Sequence, residues 1–592
     1  MPYFPRLNQI PAARQMLDAF QGYHHKLKIG DGEFYDMKNL SSDDYPVLSP
    51  RGQRGVYAAP TLPLGMIAKD SLCYVDGSKF VMDRYSVDMG LNEEPKTLVS
   101  MGAYVIILPD KKYINTADIT DFGNIEATVT TGGEVSFTLC RLDGTDYSAA
   151  YTQPSEPAKA ENMALWIDTS SNPHTLKQWS ETSGMWVSVA TTYIRISAAG
   201  IGVPFEKYDG ITISGLKGVT LTDSGGETLD DGGQLAALDG SAVVWDKGDD
   251  FIVVPGILDV TRTISNEITI RRSMPNMDFV TESENRLWGC RYGVADNGEV
   301  VNEIYASKLG DFKNWNCFMG ISTDSYAASV GTDGQFTGAV THMGYPLFFK
   351  ENCMHKVYGS YPANFRIQTT ACRGVQRGCG KSLAIVNEVL YYKARNAVCA
   401  YDGSLPVEMS SALGDVKYGE AVAGAHGNKY YISMKDGGGV WQLFVYDTAR
   451  GLWHREDNTH VEGFCSCREE LYFIDHADKK IKTVFGSGAK ETAPVEWMAE
   501  TGLIGADTPG RKYVSRLTVR MWLDMGAKLW FFVQYDSGGD WEYLFTMTGS
   551  SLRSFSVPIR PRRCDHLRLR VVGEGEAKIY SIAKVIEEGS DD

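Results

Sequence analysis

The sequence predicts an all-β protein built on a β-propeller of about seven blades, with an inserted β module and a C-terminal β-sandwich. Three observations support this fold class. A strand phrase with one layout occurs three times between residues 383 and 486. The composition is rich in glycine (61) and tyrosine (31), with few stretches of helical periodicity. After residue 493, apolar and polar side chains alternate along successive segments, which is typical of strands in a sandwich.

Each copy of the repeated phrase contains a short apolar strand, a polar two-residue turn, an aromatic strand and a further strand. The copies recur about every 40 residues, which is the period of a four-stranded propeller blade. The three predicted turns are Asn387-Glu388, Gly427-Asn428 and Glu469-Glu470.

Four more phrases of this type lie earlier in the chain and complete the predicted propeller. Two of them fall in residues 59–117, predicted to be the first blades, and two fall in residues 256–488, predicted to be the remaining blades. Because blades flank the segment between, the ring is expected to close only after residue 486 is made. The four phrases occupy 65–81, 98–114, 286–307 and 344–359.

Residues 1–58 are predicted to form a short helix and an extended arm. The helix is expected at 10–20, with Pro11 in its first turn. The arm, 28–55, is rich in turns, prolines and paired acids, which suits a segment lying on another surface better than a core strand. In an oligomer that surface belongs to a neighbouring subunit. The residues expected to make this subunit contact are Phe34, Tyr35, Tyr45, Arg51 and Arg54.

Residues 118–255 lose the repeated phrase and are richer in threonine, serine and glycine. We predict an independent β module inserted in a loop between blades, where insertions are tolerated. Trp166, Trp179 and Trp186 are regularly spaced on its predicted strands. They are candidates either for the core of this small module or for stacking on the rings of a bound glycan.

The C-terminal segment, 489–592, is predicted to form a β-sandwich of at least six antiparallel strands joined by polar turns. Its one dense basic cluster contains Arg560, Arg562 and Arg563. These arginines form either a solvated rim or a contact with an acidic neighbouring subunit.

The formal net charge of -16 argues against general nucleic-acid binding, which needs clustered Lys and Arg to neutralise phosphates. It permits an acidic wall that repels a passing polyanion without gripping it. The eleven cysteines are an odd number without a framework and predict reduced, buried thiols in a protein assembled in a cytoplasm. Residues 1–20 lack the apolar core of a signal peptide, and no run of 18 apolar residues is present, so neither export nor membrane insertion is expected.

Motifs for catalysis are missing from the sequence. It contains no Walker loop, no Gly-x-Gly-x-x-Gly, no His-Glu-x-x-His and no Gly-x-Ser-x-Gly. Cys465 with Cys467 and Cys372 with Cys379 lack zinc-knuckle spacing. Residues 180–186 resemble one sialidase Asp-box without its aspartate, and no two carboxylates can be paired as acid and base from sequence. We therefore predict that the protein is not an enzyme and has no catalytic residues, cofactor or metal.

The opening arm carries a resemblance to a known family. Asn39-Leu40 and the turn from Pro50-Arg51 to Arg54-Gly55, leading straight into a first blade phrase, resemble the tail nozzle or tail-tubular proteins of short-tailed bacteriophages and phage packaged-DNA stabilisation proteins. The phrase at 165–187 is similar to segments of phage tail and fibre proteins of Gram-positive hosts. The resemblance implies a virion location and a hexameric ring of propellers around the tail axis. It also implies an adaptor or portal-side protein above the ring and fibres or distal tail parts beyond it.

The predicted function is that of a structural nozzle or hub subunit of a phage tail. Its ring would retain the genome after packaging and then pass the DNA through the lumen, without sequence-specific binding and without turnover. Extended arms draped over neighbours would stabilise the ring. The alternative is a receptor-binding tail adhesin that binds host-surface glycans through the inserted module or the terminal sandwich.

Overall fold

We describe a computed structural model of the chain, which covers residues 12–588 except 27, 159, 223–227, 230–232, 296–297, 508 and 550. The described residues are all-β, with many small antiparallel sheets. Their only helices are four single 3-10 turns, at Ala236–Leu238, Pro362–Asn364, Gly380–Ser382 and Ser411–Leu413. No helix in this part of the chain has the length and apolar character needed to cross a bilayer.

The first four repeated phrases each lie in a separate antiparallel sheet. We call these sheets repeat sheets 1 to 4. In each one, hydrogen-bonded neighbours follow the order of the chain, as in a meander. Their strands are Pro63–Ala68, Leu72–Asp76, Lys79–Met82 and Tyr85–Asp88 in sheet 1; Thr97–Met101, Tyr104–Leu108, Lys112–Asn115 and Phe122–Asn124 in sheet 2; Phe279–Ser283, Arg286–Val294, Val300–Ala306 and Tyr326–Ser329 in sheet 3; and Gly338–His342, Tyr345–Lys350, Cys353–Tyr358 and Arg366–Ala371 in sheet 4.

The last three phrases form repeat sheets 5 to 7. Sheets 5 and 6 are four-stranded meanders, and sheet 7 has five strands, one of which comes from the start of the chain. Their strands are Ala384–Val386, Val389–Ala394, Ala397–Tyr401 and Val407–Glu408 in sheet 5; Tyr418–His426, Lys429–Asp436, Trp441–Asp447 and Leu452–Arg455 in sheet 6; and Val461–Cys467, Glu470–Asp475, Ile481–Thr483, Gly55–Ala58 and Ala489–Lys490 in sheet 7.

The hairpin turns explain why these phrases fold as sheets. Asn387 and Glu388 both have positive φ (48° and 68°), as the tight hairpin turn between right-twisted strands requires. The third turn differs from its prediction by one residue, because Arg468 and Glu469 form it. Glu470 instead begins the next strand and is buried, where its carboxylate accepts the backbone N–H groups of Phe485 and Ser487.

Neighbouring repeat sheets touch through their first strands, and the first strand of sheet 7 contacts that of sheet 1. Sheet 4 reaches sheet 5 through the 3-10 turn Gly380–Ser382, which leads into its first strand. Side chains at the first hairpin turn of one sheet also bond to the next sheet. These bonds are Lys69 to Ser100, Ser283 to the Gly344 carbonyl, His342 to the Glu388 carbonyl, Asn387 to Asn428, His426 to Ser466 and Arg468 to the Asp70 carbonyl.

The N-terminal segment pairs with distant parts of its own chain. The helix expected at 10–20 is wrong for the described residues, since Ala12–Leu17 is a strand antiparallel to Ala577–Glu588; residues 10 and 11 lie outside the described part. A helix of this length is marginal alone, whereas the sheet supplies a full ladder of partners. Glu33–Lys38 pairs with Glu496–Thr501, so the arm joins a sheet of its own chain. The remaining strands of the arm are Gly22–Tyr23, Leu40–Ser41 and Ser49–Pro50.

The inserted module is a two-sheet sandwich with a smaller sheet beside it. It extends further than the predicted boundary at 255, because Arg262–Ile264 and Thr269–Arg272 pair with its strands and not with a repeat sheet. One sheet contains Ala127–Thr130, Thr269–Arg272, Gly210–Ser214 and Gly240–Val243; the other contains Asp246–Gly248, Phe251–Pro255, Tyr193–Ser197, Val135–Cys140 and Arg262–Ile264; the small sheet contains Tyr151–Gln153, Leu165–Asp168, Thr175–Ser180 and Met185–Ser188; and Leu221–Thr222 pairs with Thr228–Leu229.

The C-terminal segment forms two packed sheets, and each includes N-terminal strands. One hydrophobic cluster runs from this sandwich into repeat sheets 5 and 6. Tyr23 meets Phe444 of sheet 6 edge to face at 5.5 Å, and Asp36 pairs with Arg455 at 2.5 Å. The sandwich is therefore fixed to the repeat sheets. Its sheets contain Ala12–Leu17, Ala577–Glu588, Lys512–Leu523 and Arg553–Val557, and Gly22–Tyr23, Glu33–Lys38, Glu496–Thr501, Leu567–Glu574, Lys528–Tyr535 and Glu542–Thr548.

Two buried histidines make the fold sensitive to acid. Desolvation lowers the pKa of His355 and of His454 from 6.5 to about 4. Both rings are buried, and His355 lies between the hydroxyls of Thr332 and Thr369, each 2.9 Å from a ring nitrogen. The unfolded chain binds these protons below pH 6.5 but the folded chain does so only near pH 4. Stability is therefore lost as pH falls through that window.

We expect the acid-dependent loss to amount to about 3 kcal/mol for each histidine between pH 6.5 and 4. His355→Gln and His454→Gln should each make the free energy of unfolding less dependent on pH, because each removes one group that takes up a proton on unfolding. Urea unfolding midpoints at pH 7 and pH 4.5, compared between each variant and the wild type, measure the difference. An unchanged slope in both variants would show that these histidines are charged in the folded protein.

Candidate functional site

A concavity among the repeat sheets lies where several first strands begin. It has a volume of about 710 Å³ and is lined by residues of sheets 1, 2, 5, 6 and 7. We call it the central pocket. Its polar and aromatic lining comes from short loops and strand starts: Glu93, Lys96, Lys381, Glu420, Trp441, His460, Glu462 and Lys479.

An aromatic stack forms one wall of the central pocket. Trp441, which begins the third strand of sheet 6, lies parallel to His460 with 3.8 Å between ring centroids and 9° between planes. His476 stacks on His460 at 4.2 Å. Desolvation lowers the pKa of His460, and His476 lowers it further, so this imidazole is neutral at pH 7. The stack fixes the Trp441 indole in one orientation.

Glu462 is the polar centre of the pocket. Its carboxylate accepts hydrogen bonds from Lys479 Nζ at 2.5 Å and from His476 Nδ1 at 2.6 Å. Burial alone would raise the pKa of Glu462, but these two donors lower it overall. Lys381 Nζ donates to the Glu462 carbonyl at 3.3 Å. Desolvation in this concave site lowers the pKa of Lys381, although much of its side chain is accessible. The negative charge of Glu462 partly offsets this lowering of the pKa.

The charges around the pocket balance. Lys96 pairs with Asp110 at 2.5 Å, Glu420 with Lys435 at 2.9 Å, and Glu462 with Lys479. The two remaining charged groups of the lining, Lys381 and Glu93, have opposite sign. A glycosidase acid needs a carboxyl whose pKa is raised, whereas that of Glu462 is lowered. Glu462 therefore acts here as a hydrogen-bond acceptor.

Three residues predicted to contact another subunit are instead used inside the chain. Phe34 is only 2% exposed and belongs to the core shared by the sandwich and sheet 6. Arg54 is buried with Glu456 at 2.6 Å and Asp457 at 2.9 Å, and Arg51 lies beside the same carboxylates. The surface under these side chains belongs to the same chain, and a contact with another subunit stays a prediction.

The other predicted contact residues keep some exposure. Tyr35 is half-buried between His25, at 4.3 Å, and the guanidinium of Arg568, and Tyr45 is half-buried beneath Arg450. Arg560, Arg562 and Arg563 are exposed on the sandwich. Arg562 pairs with the exposed Glu542 at 2.8 Å. The role of these residues between subunits remains a prediction.

The tryptophans of the insert form a cluster of their own on the small sheet. Trp186 meets Trp166 and Trp179 edge to face, at 5.4 and 5.5 Å. Trp166 is 4% exposed, and its indole N–H donates to the Gln153 carbonyl. A separate aliphatic cluster joins this sheet to the rest of the module. It contains Leu165 and Ile167, which flank Trp166 on the same strand, and none of the tryptophans. Trp166 is thus enclosed in this cluster, whereas Trp179 and Trp186 are half-buried.

The residues of the central pocket were missed by the sequence predictions. Lys381 and Glu462 stand at equivalent places in their repeats, each six residues before a hairpin turn. A charged residue at one repeat position in two copies is the signal that could have identified them. Trp441 carries no comparable signal, because its position at the pocket follows from how sheets 6 and 7 meet.

The described residues contain no group of three or more His, Cys, Asp or Glu side chains placed to hold a metal ion. All eleven cysteines are unpaired thiols, and nine of them are buried. Burial raises the pKa of Cys73 and of Cys465 to about 12, which keeps these thiols protonated and unreactive.

No protein-family model and no curated protein matches this chain. Among solved structures, it is similar to the β-propeller domain of the Trilobed protease from Pyrococcus furiosus, at 10% identity over 54% of this chain and 92% of that one, with a TM-score of 0.25. It is also similar to exo-β-1,3-galactanase from Phanerochaete chrysosporium, at 8% identity over 52% of this chain and 94% of that one, with a TM-score of 0.22. For Trypanosoma rangeli sialidase the identity is 9% over 97% of this chain and 95% of that one, with a TM-score of 0.21. Structural similarity at this level does not indicate a function for this chain.

Proposed function

We propose that this chain is a structural subunit of a bacteriophage tail, a nozzle or hub protein that forms a ring around the DNA channel. In this proposal the seven repeat sheets are the blades of one closed β-propeller, and the inserted module and the sandwich are attached to it. The ring retains the packaged genome and later passes it, without turnover. The resemblance of the arm to phage tail nozzle proteins supports the tail role.

Closure of the propeller is supported at the junction between sheets 7 and 1. Arg468 donates from the first hairpin of sheet 7 to the Asp70 carbonyl of sheet 1, at 3.0 Å from Nε and 2.6 Å from Nη2. The first strands of these two sheets are also in contact. Gly55–Ala58, from before sheet 1, lies beside Ile481–Thr483 in sheet 7. When a strand from the start of the chain pairs within the last blade, it holds a circular array of blades closed.

The observation that carries the structural role is the interlocking of the chain's two ends. Ala12–Leu17 and Glu33–Lys38 complete the two sheets of the sandwich, and Gly55–Ala58 completes sheet 7. Strands from the start of the chain thus belong both to the sandwich and to sheet 7. Chains interlocked in this way suit a symmetric ring, in which each subunit must present the same two surfaces in fixed geometry.

The sandwich offers a surface for such a ring. Arg560, Arg562 and Arg563 are exposed together, on a chain whose net charge is -16. A basic cluster on an acidic protein favours contact with an acidic surface of the next copy. Six copies around the axis, an adaptor or portal-side protein above and fibre or distal tail proteins beyond complete the proposed assembly in the virion.

Purified protein tests this function. We expect rings in negative-stain images and a mass of several chains by light scattering. Reversing the cluster (Arg560→Glu, Arg562→Glu, Arg563→Glu) should leave monomers. The matched control (Lys79→Glu, Arg84→Glu, Lys417→Glu) reverses three exposed charges on the repeat sheets and should leave rings. Monomers or trimers of wild-type protein that bind host cells would contradict the proposal and favour the adhesin.

A further inference from the structure

We propose that the central pocket is a binding site for a neutral oligosaccharide, with Trp441 as the stacking platform and Lys381, Glu420 and Glu462 as hydrogen-bonding groups. This activity goes beyond the structural role and does not depend on it. It also differs from the glycan site that the sequence suggested, which was placed on the tryptophans of the insert.

The pocket has the dimensions and composition of a ligand site. At about 710 Å³ it falls within the range of about 300–1,000 Å³ that is usual for small-molecule pockets. Such sites combine aromatic surface with a few convergent polar groups. Here the aromatic surface is Trp441, and polar groups arrive from three different repeat sheets.

The Trp441 indole is held ready for stacking. His460 covers one face of the ring at 3.8 Å, and His476 supports His460 from behind. Trp441 itself is only half-buried and lines the pocket. The C–H face of a pyranose ring is apolar and carries slight positive charge, so it packs well on the negative face of an aromatic ring. Because the platform is already fixed, little conformational entropy is lost when a ligand binds.

The polar groups of the central pocket can form hydrogen bonds with the hydroxyl groups of a sugar. An ammonium has three protons, and within the described chain the Lys381 ammonium has a single acceptor, the Glu462 carbonyl. It can therefore donate to ligand oxygens. Glu420 is exposed and Glu462 half-buried, and each keeps acceptor capacity beyond its bonds to Lys435 or to Lys479 and His476. Donors and acceptors placed side by side match the hydroxyl groups of a sugar, which both donate and accept.

The charge balance selects a neutral ligand. Each pocket carboxylate except Glu93 is paired with a lysine, and Glu93 is offset by Lys381. A carboxylate- or phosphate-bearing ligand would find no net positive field here, and it would bring an unpaired charge close to Glu420 and Glu462. In the insert, by contrast, Trp166 is buried and Trp186 meets Trp166 and Trp179 edge to face.

The test uses the intact chain and four probes: maltohexaose, cellohexaose and chitohexaose, which are neutral, and hexagalacturonate, which is anionic. Isothermal titration calorimetry and tryptophan fluorescence report binding. At least one neutral hexamer should bind with a Kd of about 1 mM or tighter. Trp441→Ala should weaken it about tenfold or more, an effect of the size that loss of one aromatic ring has where nucleobases stack on proteins. Lys381→Met, an exposed and structurally tolerant change, should also weaken it.

The controls separate this site from others. Trp179→Ala in the insert and Lys417→Met on the surface should leave the Kd unchanged. The proposal is overturned if none of the neutral hexamers binds, if hexagalacturonate binds more tightly than they do, or if Trp179→Ala abolishes binding while Trp441→Ala and Lys381→Met do not. Ring formation is measured independently, so failure here leaves the structural role standing.

Discussion

Replacing Arg54 with methionine is expected to lower the free energy of unfolding by about 3–5 kcal/mol, because the change strands two carboxylates in the interior. Arg54 is buried, and its guanidinium pairs with Glu456 at 2.6 Å and Asp457 at 2.9 Å. Burial would lower the pKa of Arg54, but the two carboxylates raise it overall. The ion pairs join the N-terminal segment to the end of sheet 6. Urea unfolding at pH 7 measures the loss.

Two further variants show whether stranded charge is the cause. Adding Glu456→Gln and Asp457→Asn to Arg54→Met should recover part of the lost stability, since fewer charges then lie unpaired. Arg51→Met should cost less, because the distances from Arg51 to its carboxylate neighbours are 3.6–3.9 Å. A loss below about 1 kcal/mol for Arg54→Met would mean that Arg54 lies at an exposed surface, where pairs contribute that little.

Gly55→Ala is expected to weaken the junction between the N-terminal strand and sheet 7. A Cβ at residue 55 would lie 2.2 Å from the Ser487 carbonyl oxygen and 2.6 Å from Thr483 Oγ1. Backbone cannot yield as a flexible side chain would, so Gly55–Ala58 must shift away from its partners. We expect a loss of about 1–3 kcal/mol, the usual cost of overpacking, and faster proteolysis within residues 50–60.

The matched control lies three residues earlier in the same segment. A Cβ at Gly52 would meet no atom within 4 Å, so Gly52→Ala should leave stability and proteolysis unchanged. Limited digestion followed by mass spectrometry compares the two variants directly. Equal digestion of both variants, at the rate of wild type, would contradict the placement of Gly55–Ala58 inside sheet 7.

Elements with local signals were predicted well. Each repeated phrase carries its own alternation and hairpin turn, as Asn387-Glu388 shows, and each lies in its own sheet. The N-terminal segment was not predictable in this way. The strand Ala12–Leu17 finds its partner at Ala577–Glu588, and nothing near residue 12 indicates a pairing so distant in sequence. The same limit explains the boundary of the insert, because Thr269–Arg272 pairs with Ala127–Thr130, far back in the chain.

The central pocket was even less accessible to sequence reasoning. Its residues come from five sheets, and only their packing brings Trp441, His460 and Lys381 around one space. The tryptophans that the sequence did mark, in the insert, are prominent because they are close together in the chain. Their edge-to-face packing makes them a structural cluster, whereas the single Trp441 faces the pocket.

Electron cryomicroscopy of the phage particle to which we assign this chain is the most direct test of the proposed structural role. We predict density for this chain as a ring of identical subunits around the tail axis, each with a seven-bladed propeller closed by its own Gly55–Ala58 strand. Absence of the chain from purified particles, or its location as separate trimers at the tips of fibres, would contradict the account.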